Sequence, residues 1–464
     1  MKIPKIGLLP LYLELYDISN PEMRERINAF TNTIAAELEK RDLTVITAPV
    51  CRIKTEFKKA VEIFEEEAVD AIVTIHLAYS PSLESADVLA VTRIPIVVLN
   101  TTHVYEFGPE QDPVEIMYNH GIHGVQDMCN LLIRNKKRFM IEVGHWEKSD
   151  VLDRVAGCIR SVKLAKNIKN ARVGIVGEVF KGMGDFAVPA DVLKSTIGIE
   201  TINFDLNKTK ELANNITDEE IFFEMEENRS LFEIRELTTE VHKRSSHTNL
   251  LIRNWIKKEK LTAFTVNFLA TSRNSVISTM PFLEASKAMS RGIGYAGEGD
   301  ILTAALVGAL ISVYPDTSFT EMFCPDWKGN SIFLSHMGEM NINLTAEKPV
   351  LVEKEFPYTD AFNPIVAYGR FKKGEVILVN LAPKADNRYC LILSKGEMLD
   401  VGTIDNMKNS IHGWFKPALP LDKFLAEYSL AGGTHHSAIV YGNNTIRNEI
   451  LKFGELMGWD VVEI

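Results

Sequence analysis

As far as residue 312, short apolar runs alternate with amphipathic helical stretches, and that alternation most narrows what the chain can fold into. Residues 5–12 read as a buried strand ending in a loop. Between Pro21 and Lys40, Met23, Ile27, Phe30, Ile34 and Leu38 recur at helical spacing. Strands follow over 43–48, 71–76 and 94–100, with a helix over 55–68 between the first two. A strand over 139–143 and a helix over 151–165 lead out of this series. A second series holds strands over 171–177, 200–204 and 261–268, and helices over 188–196, 218–227 and 282–290. Such alternation is the mark of parallel βαβ units. Strands that are apolar throughout belong to a sheet covered on both faces.

From about residue 313 the texture changes. Short β-rich segments appear over 331–334, 349–352, 365–371, 375–381, 389–396 and 437–441, separated by turns such as Lys372-Lys-Gly374. They predict an antiparallel sheet or barrel, closed off by a last helix and strand over 445–464. A chain of 464 residues has room for two or three domains. The expected class is therefore α/β. Two doubly wound parallel-sheet domains, 1–168 and 169–312, precede a mainly antiparallel, barrel-like domain over 313–464.

A net charge of −11 on a mixed surface argues against nucleic acid and anionic membrane as partners. No Walker-type loop is present. Five scattered cysteines with no Cys-x-x-Cys argue against a disulfide framework and a thiolate zinc site; Cys324 reads as a small buried hydrophobe, with a reactive thiol near the metal as the alternative. No signal-peptide pattern or membrane-length apolar run is visible, so a cytoplasmic protein is expected.

The chemistry-bearing residues concentrate in Gly294–Glu339 and in Gly432–Ser437. The first stretch contains Gly294-Tyr-Ala-Gly-Glu-Gly-Asp300, Glu321 and His336; the second contains His435 and His436. Two carboxylates and up to three imidazoles form a ligand set for a divalent cation. Mixed oxygen and nitrogen ligands suit manganese, cobalt, iron or magnesium better than structural zinc. No single helix gathers groups spread from 298 to 436, so the site has to be tertiary. Asp300, just ahead of the apolar run 301–313, is placed to cap a helix. The plainer alternative makes Glu298 and Asp300 caps only, and the histidines ordinary half-buried ones. At strand ends in the first domain, Tyr12, His76, Thr101, Thr102 and His103 border any crevice. Gly182-Met-Gly-Asp-Phe186 reads as a plain turn, with a lid or substrate loop as the alternative.

Residues 294–306, Gly-Tyr-Ala-Gly-Glu-Gly-Asp-Ile-Leu-Thr-Ala-Ala-Leu, resemble the Gly-Glu-Gly-Asp stretch of L-arabinose isomerases. Thr317-Ser-Phe-Thr-Glu321, Lys328-Gly-Asn330, Ser335-His-Met337 and Ala431-Gly-Gly-Thr-His-His436 are similar to that family's other site segments, in the same order. His123-Gly124, Gly144-His-Trp146 and Ala263-Phe-Thr-Val-Asn-Phe268 extend the resemblance to most of the chain from about residue 119. The resemblance implies that Glu298, Glu321, His336 and His436 bind Mn2+, or a cation such as Co2+ or Mg2+. It implies that Glu298 and Glu321 move protons between C1 and C2 of an open-chain sugar. Substrate-binding positions implied are His435, His123, Tyr12, Phe268 and Asp300, with His123 reaching toward a neighbouring subunit's site. A homo-oligomer, trimer or hexamer, with sites near subunit interfaces is implied as well.

Two departures bear on the substrate. Met322-Phe323 stands where the family has Asp-Tyr, and Leu9-Pro-Leu-Tyr-Leu13 stands where it has a Gln-containing loop. The expected activity is thus a metal-dependent aldose–ketose isomerisation, by an enediol or a metal-assisted hydride shift, of a sugar other than L-arabinose if the changed positions face it. The competing classes are a sugar-binding or regulatory protein without turnover, and a lyase or epimerase on the same metal site.

Overall fold

The computed structural model describes residues 3–402 and 405–464, and the chain divides into two compact units, 1–163 and 164–464. In the first unit, β1 (Lys5–Leu11), β2 (Thr44–Thr47), β3 (Ala71–His76), β4 (Ile96–Asn100) and β5 (Phe139–Val143) make one five-stranded sheet. Its order is β2-β1-β3-β4-β5 and each pairing is parallel. β3 is buried along its whole length, as its unbroken apolar run requires. The helix Met23–Glu39 buries Met23, Ile27, Phe30, Ile34 and Leu38, the stripe visible in the sequence. The helix Ser82–Val91 carries no such stripe, having Ser82, Ser85, Ala86 and Leu89 as its buried side, and its periodicity is correspondingly weak.

In the second unit, β6 (Arg172–Val176), β7 (Glu200–Asn203), β9 (Ala263–Val266) and β10 (Gly294–Gly297) form a parallel sheet in the order β10-β9-β6-β7; β8 (Glu233–Ile234) lies elsewhere. The helix Ile301–Ile311 follows β10 and is buried at all eleven positions. A helix apolar on every side has no solvent face to offer, so it can only be a core element. Asp300 starts it by accepting the Thr303 N–H at 2.8 Å, the cap that its position predicts.

The remaining strands are β11 (Thr317–Asp326), β12 (Ser331–His336), β13 (Val350–Glu353), β14 (Ile365–Arg370), β15 (Gly374–Pro383), β16 (Tyr389–Met398), β17 (Ile411–Pro417), β18 (His436–Tyr441) and β19 (Asp460–Glu463). They form a ten-stranded sheet together with β8. Six of them close on themselves. The ring runs β16-β15-β18-β11-β12-β17, the β16–β17 pairing completes it, and every pairing within it is antiparallel. Closure removes the free edges of those strands. β11 gives no clear alternation in the sequence, because it is buried over its first four residues before turning outward, and β17 gives none because five of its seven residues are buried. The register of β11 against β12 shifts between Met322 and Cys324, a bulge that leaves Cys324 exposed rather than buried as its composition suggested. Among the described residues no helix is long and apolar enough to cross a membrane.

Candidate metal centre

Three neighbouring barrel strands and one turn bring four of the expected side chains together. Glu321 on β11 sits directly across from His436, the first residue of β18, and from Ser335 on β12. His336, the next residue and the last of β12, completes a carboxylate flanked by two imidazoles on adjacent strands. The turn after β10 supplies Glu298. Its φ of +61° is in the left-handed region, which costs a side-chain-bearing residue on the order of 1–3 kcal/mol. Backbone bonds hold it there: its N–H donates to Val266 O at 3.1 Å and its carbonyl accepts from Phe180 N at 2.9 Å. Just before it, Gly297 has to be a glycine. A Cβ there would lie 2.6 Å from His336 Cε1 and 2.9 Å from His336 Nε2, so the bare backbone makes room for the imidazole.

The candidate ligand atoms converge. His436 Nε2 lies 3.6 Å from Glu298 Oε2, and His336 Nε2 lies 3.9 Å from Glu321 Oε2. His435 Nε2 lies 4.0 Å from both Glu298 Oε2 and Glu321 Oε1. Distances near 4 Å are charge contacts, not hydrogen bonds. Two triads, Glu298–His435–His436 and Glu321–His336–His436, each offer ligand atoms within 4.8 Å of one another. A divalent cation sits about 2.0–2.3 Å from such atoms, so groups on opposite sides of it stand about 4 Å apart. One further observation fits a cation: His436 Nε2 is buried and has no hydrogen-bond partner. An orphaned ring nitrogen beside two carboxylates is costly unless something bonds it.

Each imidazole is aimed by a carboxylate at its other nitrogen. His336 Nδ1 donates to Glu339 Oε2 at 2.7 Å, and Glu339 Oε1 accepts from the Tyr295 hydroxyl at 2.7 Å. His436 Nδ1 donates to Asp300 Oδ2 at 3.0 Å. His435 Nδ1 donates to Asp185 Oδ2 at 2.6 Å. A carboxylate can only accept, so these bonds place the proton on Nδ1 and turn each Nε2 toward the centre. Phe186 lies flat on His436, ring centroids 5.0 Å apart and planes at 9°. Phe319 meets both His336 and His436 edge-on.

Electrostatics separates the two carboxyls. Burial pushes Glu298 up, but the imidazoles, His435 foremost, outweigh it and hold Glu298 below the usual range. Burial pushes Glu321 up as well, and there the imidazoles fail to offset it, with Glu298 adding repulsion. Burial disfavours the charged form of His435, yet Glu298, Asp185 and Glu321 outweigh that and bring it to about 9. His336 is likewise raised, burial being overcome by Glu339, Glu321 and Glu298. A cation in the centre would favour neutral imidazoles and ionised carboxylates.

Phe268 follows β9 and packs on Phe180 at 5.2 Å; Phe180 is the residue bonded to the Glu298 carbonyl. Tyr12 and His123 belong to the first unit. Tyr12 is fully buried, with its hydroxyl 3.9 Å from Met23 Sδ and, through burial first, pushed up to about 12. His123, exposed near the start of the helix Ile122–Arg134, meets the rings of His120 and Tyr79 edge-on. His76 is buried at the end of β3. The sequence missed Glu339, Tyr295, Asp185 and Phe186. Glu339 was detectable as a carboxylate three residues after His336; Asp185 carries no signal beyond its glycine-rich surroundings.

Residues 189–314 match the family described as L-arabinose isomerase central domain, and residues 316–460 the L-arabinose isomerase C-terminal domain, together more than half of the chain. The chain belongs to the L-arabinose isomerase-like family. Its members are sugar isomerases, intramolecular oxidoreductases, and the chain is an enzyme of that class. The L-arabinose isomerase of Herpetosiphon aurantiacus is 22% identical over 461 residues, covering 96% of this chain and 91% of the relative. That of Shouchella clausii is 23% identical over 355 residues, 75% and 71% of the two chains. That of Shewanella baltica is 23% identical over 470 residues, 97% and 92%. Identity this low marks a divergent member. A periplasmic solute-binding protein from Actinobacillus succinogenes with bound D-allose is similar over 67% of this chain and 91% of that one, at 14% identity and a TM-score of 0.17, too slight to bear on fold or function.

The Glu339 contact makes a prediction independent of turnover. Glu339→Gln keeps the shape but loses the charge that holds His336 Nδ1–H, so if the centre holds a cation such as Mn2+, its affinity falls by about 10–100-fold, the usual effect of removing such a partner. Calorimetric titration of metal-free protein measures it; an unchanged affinity removes Glu339 from the centre.

Proposed function

We propose that the enzyme is a metal-dependent aldose–ketose isomerase acting on an open-chain sugar, with Glu298, Glu321, His336 and His436 holding a Mn2+-type cation. The observation that carries this reading is the convergence of those four side chains from three barrel strands and one strained turn, around a buried His436 Nε2 with no partner. When bound, the cation polarises the sugar's carbonyl and neighbouring hydroxyl as a Lewis acid. The chain's own part is proton handling and orientation. Glu298 and Glu321 are the candidate base and acid, the two carboxyls nearest His435 Nε2. Two carboxyls on either side of one gap suit removal of a proton at C2 and its return at C1. His435 Nε2, 4.0 Å from both, is placed to hold a sugar oxygen between them.

The sugar is proposed to differ from L-arabinose, because Met322 and Phe323 beside Glu321 offer no polar group to a sugar hydroxyl. A homo-oligomer of trimer or hexamer size belongs to the same reading, and sedimentation measures it.

The test is turnover on a panel of aldopentoses and aldohexoses. Conversion is measured before chelation, after chelation, and after adding back Mn2+, Co2+ or Mg2+. Activity that disappears with the cation and returns with Mn2+ is the expected result. A protein that binds cation tightly but converts no sugar of the panel sinks the reading.

A further inference from the structure

The three imidazoles of the centre are not held alike. His336 and His436 are aimed by Glu339 and Asp300, both buried, one just past the end of a barrel strand and one at the start of a core helix. His435 is aimed by Asp185, which lies on the segment between β6 and the helix Ala190–Thr196. One oxygen, Asp185 Oδ2, accepts twice from the same residue: from the His435 backbone N–H at 3.1 Å and from its ring Nδ1 at 2.6 Å. That fixes both the backbone and the ring plane of His435. The Asp185 side chain is 36% exposed and that of His435 29%, whereas the His436 side chain is fully buried. The next residue, Phe186, covers the His436 ring. Gly182, at φ +102° with open space where a side chain would go, opens this segment.

We propose that Asp185 is a positioning residue for the sugar: it locks His435 so that Nε2 faces the gap between Glu298 and Glu321, and it ties that aim to the seating of the 181–187 segment. This rests on the isomerase reading for its ligand. The buried carboxylates serve the imidazoles that hold the ion. The half-buried one, on a segment that opens with a glycine at φ +102°, serves the imidazole that meets a ligand arriving from solvent. Asp185 therefore acts on sugar binding and not on cation binding.

Asp185→Ala and Asp185→Glu are compared with the unaltered enzyme by three measurements: Mn2+ affinity by calorimetry, affinity for open-chain pentitols on the Mn2+-loaded protein, and kcat and KM for the best sugar. A pentitol has the hydroxyls of the open chain but no carbonyl, so it binds without turning over. In Asp185→Ala, the pentitol Kd and the sugar KM rise by about tenfold, the worth of one well-placed hydrogen bond, while the Mn2+ Kd moves by less than about twofold. Asp185→Glu recovers part of the loss, which a merely structural defect would not. Unchanged pentitol Kd and KM overturn the proposal. So does an Mn2+ Kd that weakens as much as pentitol binding, because Asp185 would then serve the ion. If the unaltered enzyme binds pentitol but isomerises nothing, the isomerase reading falls and Asp185 is judged on pentitol Kd alone. Binding of neither pentitol nor sugar overturns both.

Discussion

Glu321→Gln lowers kcat/KM for the enzyme's sugar by about 10²–10⁴-fold, the range for losing a positioned acid or base. That is about 3–5.5 kcal/mol of transition-state stabilisation, more than any other single change considered for activity. The amide is isosteric, and the backbone pairings of Glu321 with His436 and Ser335 do not involve the side chain, so the barrel stays intact. Circular dichroism and the thermal midpoint should match the unaltered enzyme. Loss of activity with the fold kept separates chemistry from stability. The effect is large because Glu321 would act twice, as cation ligand and as proton carrier, and Gln can do neither well. Turnover within a few-fold of normal in Glu321→Gln would remove it from the chemistry and leave Glu298 as the sole candidate.

Glu284→Ala destabilises the second unit by about 3–5 kcal/mol, the usual cost of breaking a buried ion pair from one side. Glu284 is fully buried on the helix Phe282–Ser290, directly ahead of β10. It accepts Arg253 Nη2 at 2.7 Å and Arg253 Nε at 3.2 Å, and it also bonds Arg291. Arg253 turns its other side to Glu224, with Nη1 at 2.7 Å and Nη2 at 2.9 Å, and buried Lys287 reaches Glu224 at 2.8 Å and Asn228 Oδ1 at 3.0 Å. Burial pushes the Glu284 carboxyl up against the pull of Arg253 and Arg291, so the charge is expensive to keep and its partners are more expensive to strand. A surface pair makes the contrast. Lys54 and Asp87 are 2.7 Å apart with both side chains more than half exposed, and Asp87→Ala should cost no more than about 1 kcal/mol. Thermal or denaturant unfolding, followed by a probe in the second unit for Glu284→Ala and by one in the first unit for Asp87→Ala, compares each shift with the unaltered protein. Equal shifts would mean that the buried network contributes nothing beyond a surface pair.

Several parts of this molecule are readable residue by residue. The stripe of Met23, Ile27, Phe30, Ile34 and Leu38 announces its helix because one face alone is buried. The apolar runs that became β1, β3 and β4 announce a parallel sheet because both faces are covered. Two carboxylates and up to three imidazoles stood out as a ligand set by residue type, the family resemblance singled out Glu298, Glu321, His336 and His436, and the structure brings these four together. Other parts were silent. The helix Thr239–Glu259 buries His242, Ser245, Ser246, Thr248 and Asn249 beside its apolar residues, which blurs its hydrophobic periodicity. The helix Leu421–Leu430 was hidden among β-rich segments. Asp185 was silent for a different reason: its partner is 250 residues away, and nothing local distinguishes it from a turn aspartate.

Local residue chemistry fixed which groups are available and where strands and helices prefer to form. Periodicity and donor type are properties of neighbours along the chain, so a βαβ series, a β-rich end and an oxygen–nitrogen ligand set were all determined by the sequence itself. Tertiary structure decided the rest. The barrel's register sets Glu321 opposite His436. Closure of β16 onto β17 holds those strands in a ring. The left-handed turn aims Glu298 at them, and Glu339, Asp300 and Asp185 each choose which imidazole nitrogen faces inward. The physical reason is that burial, field and hydrogen-bond partner depend on groups distant in sequence. Two glutamates that are chemically the same thus have their proton affinities shifted in opposite directions only once the chain has folded around them.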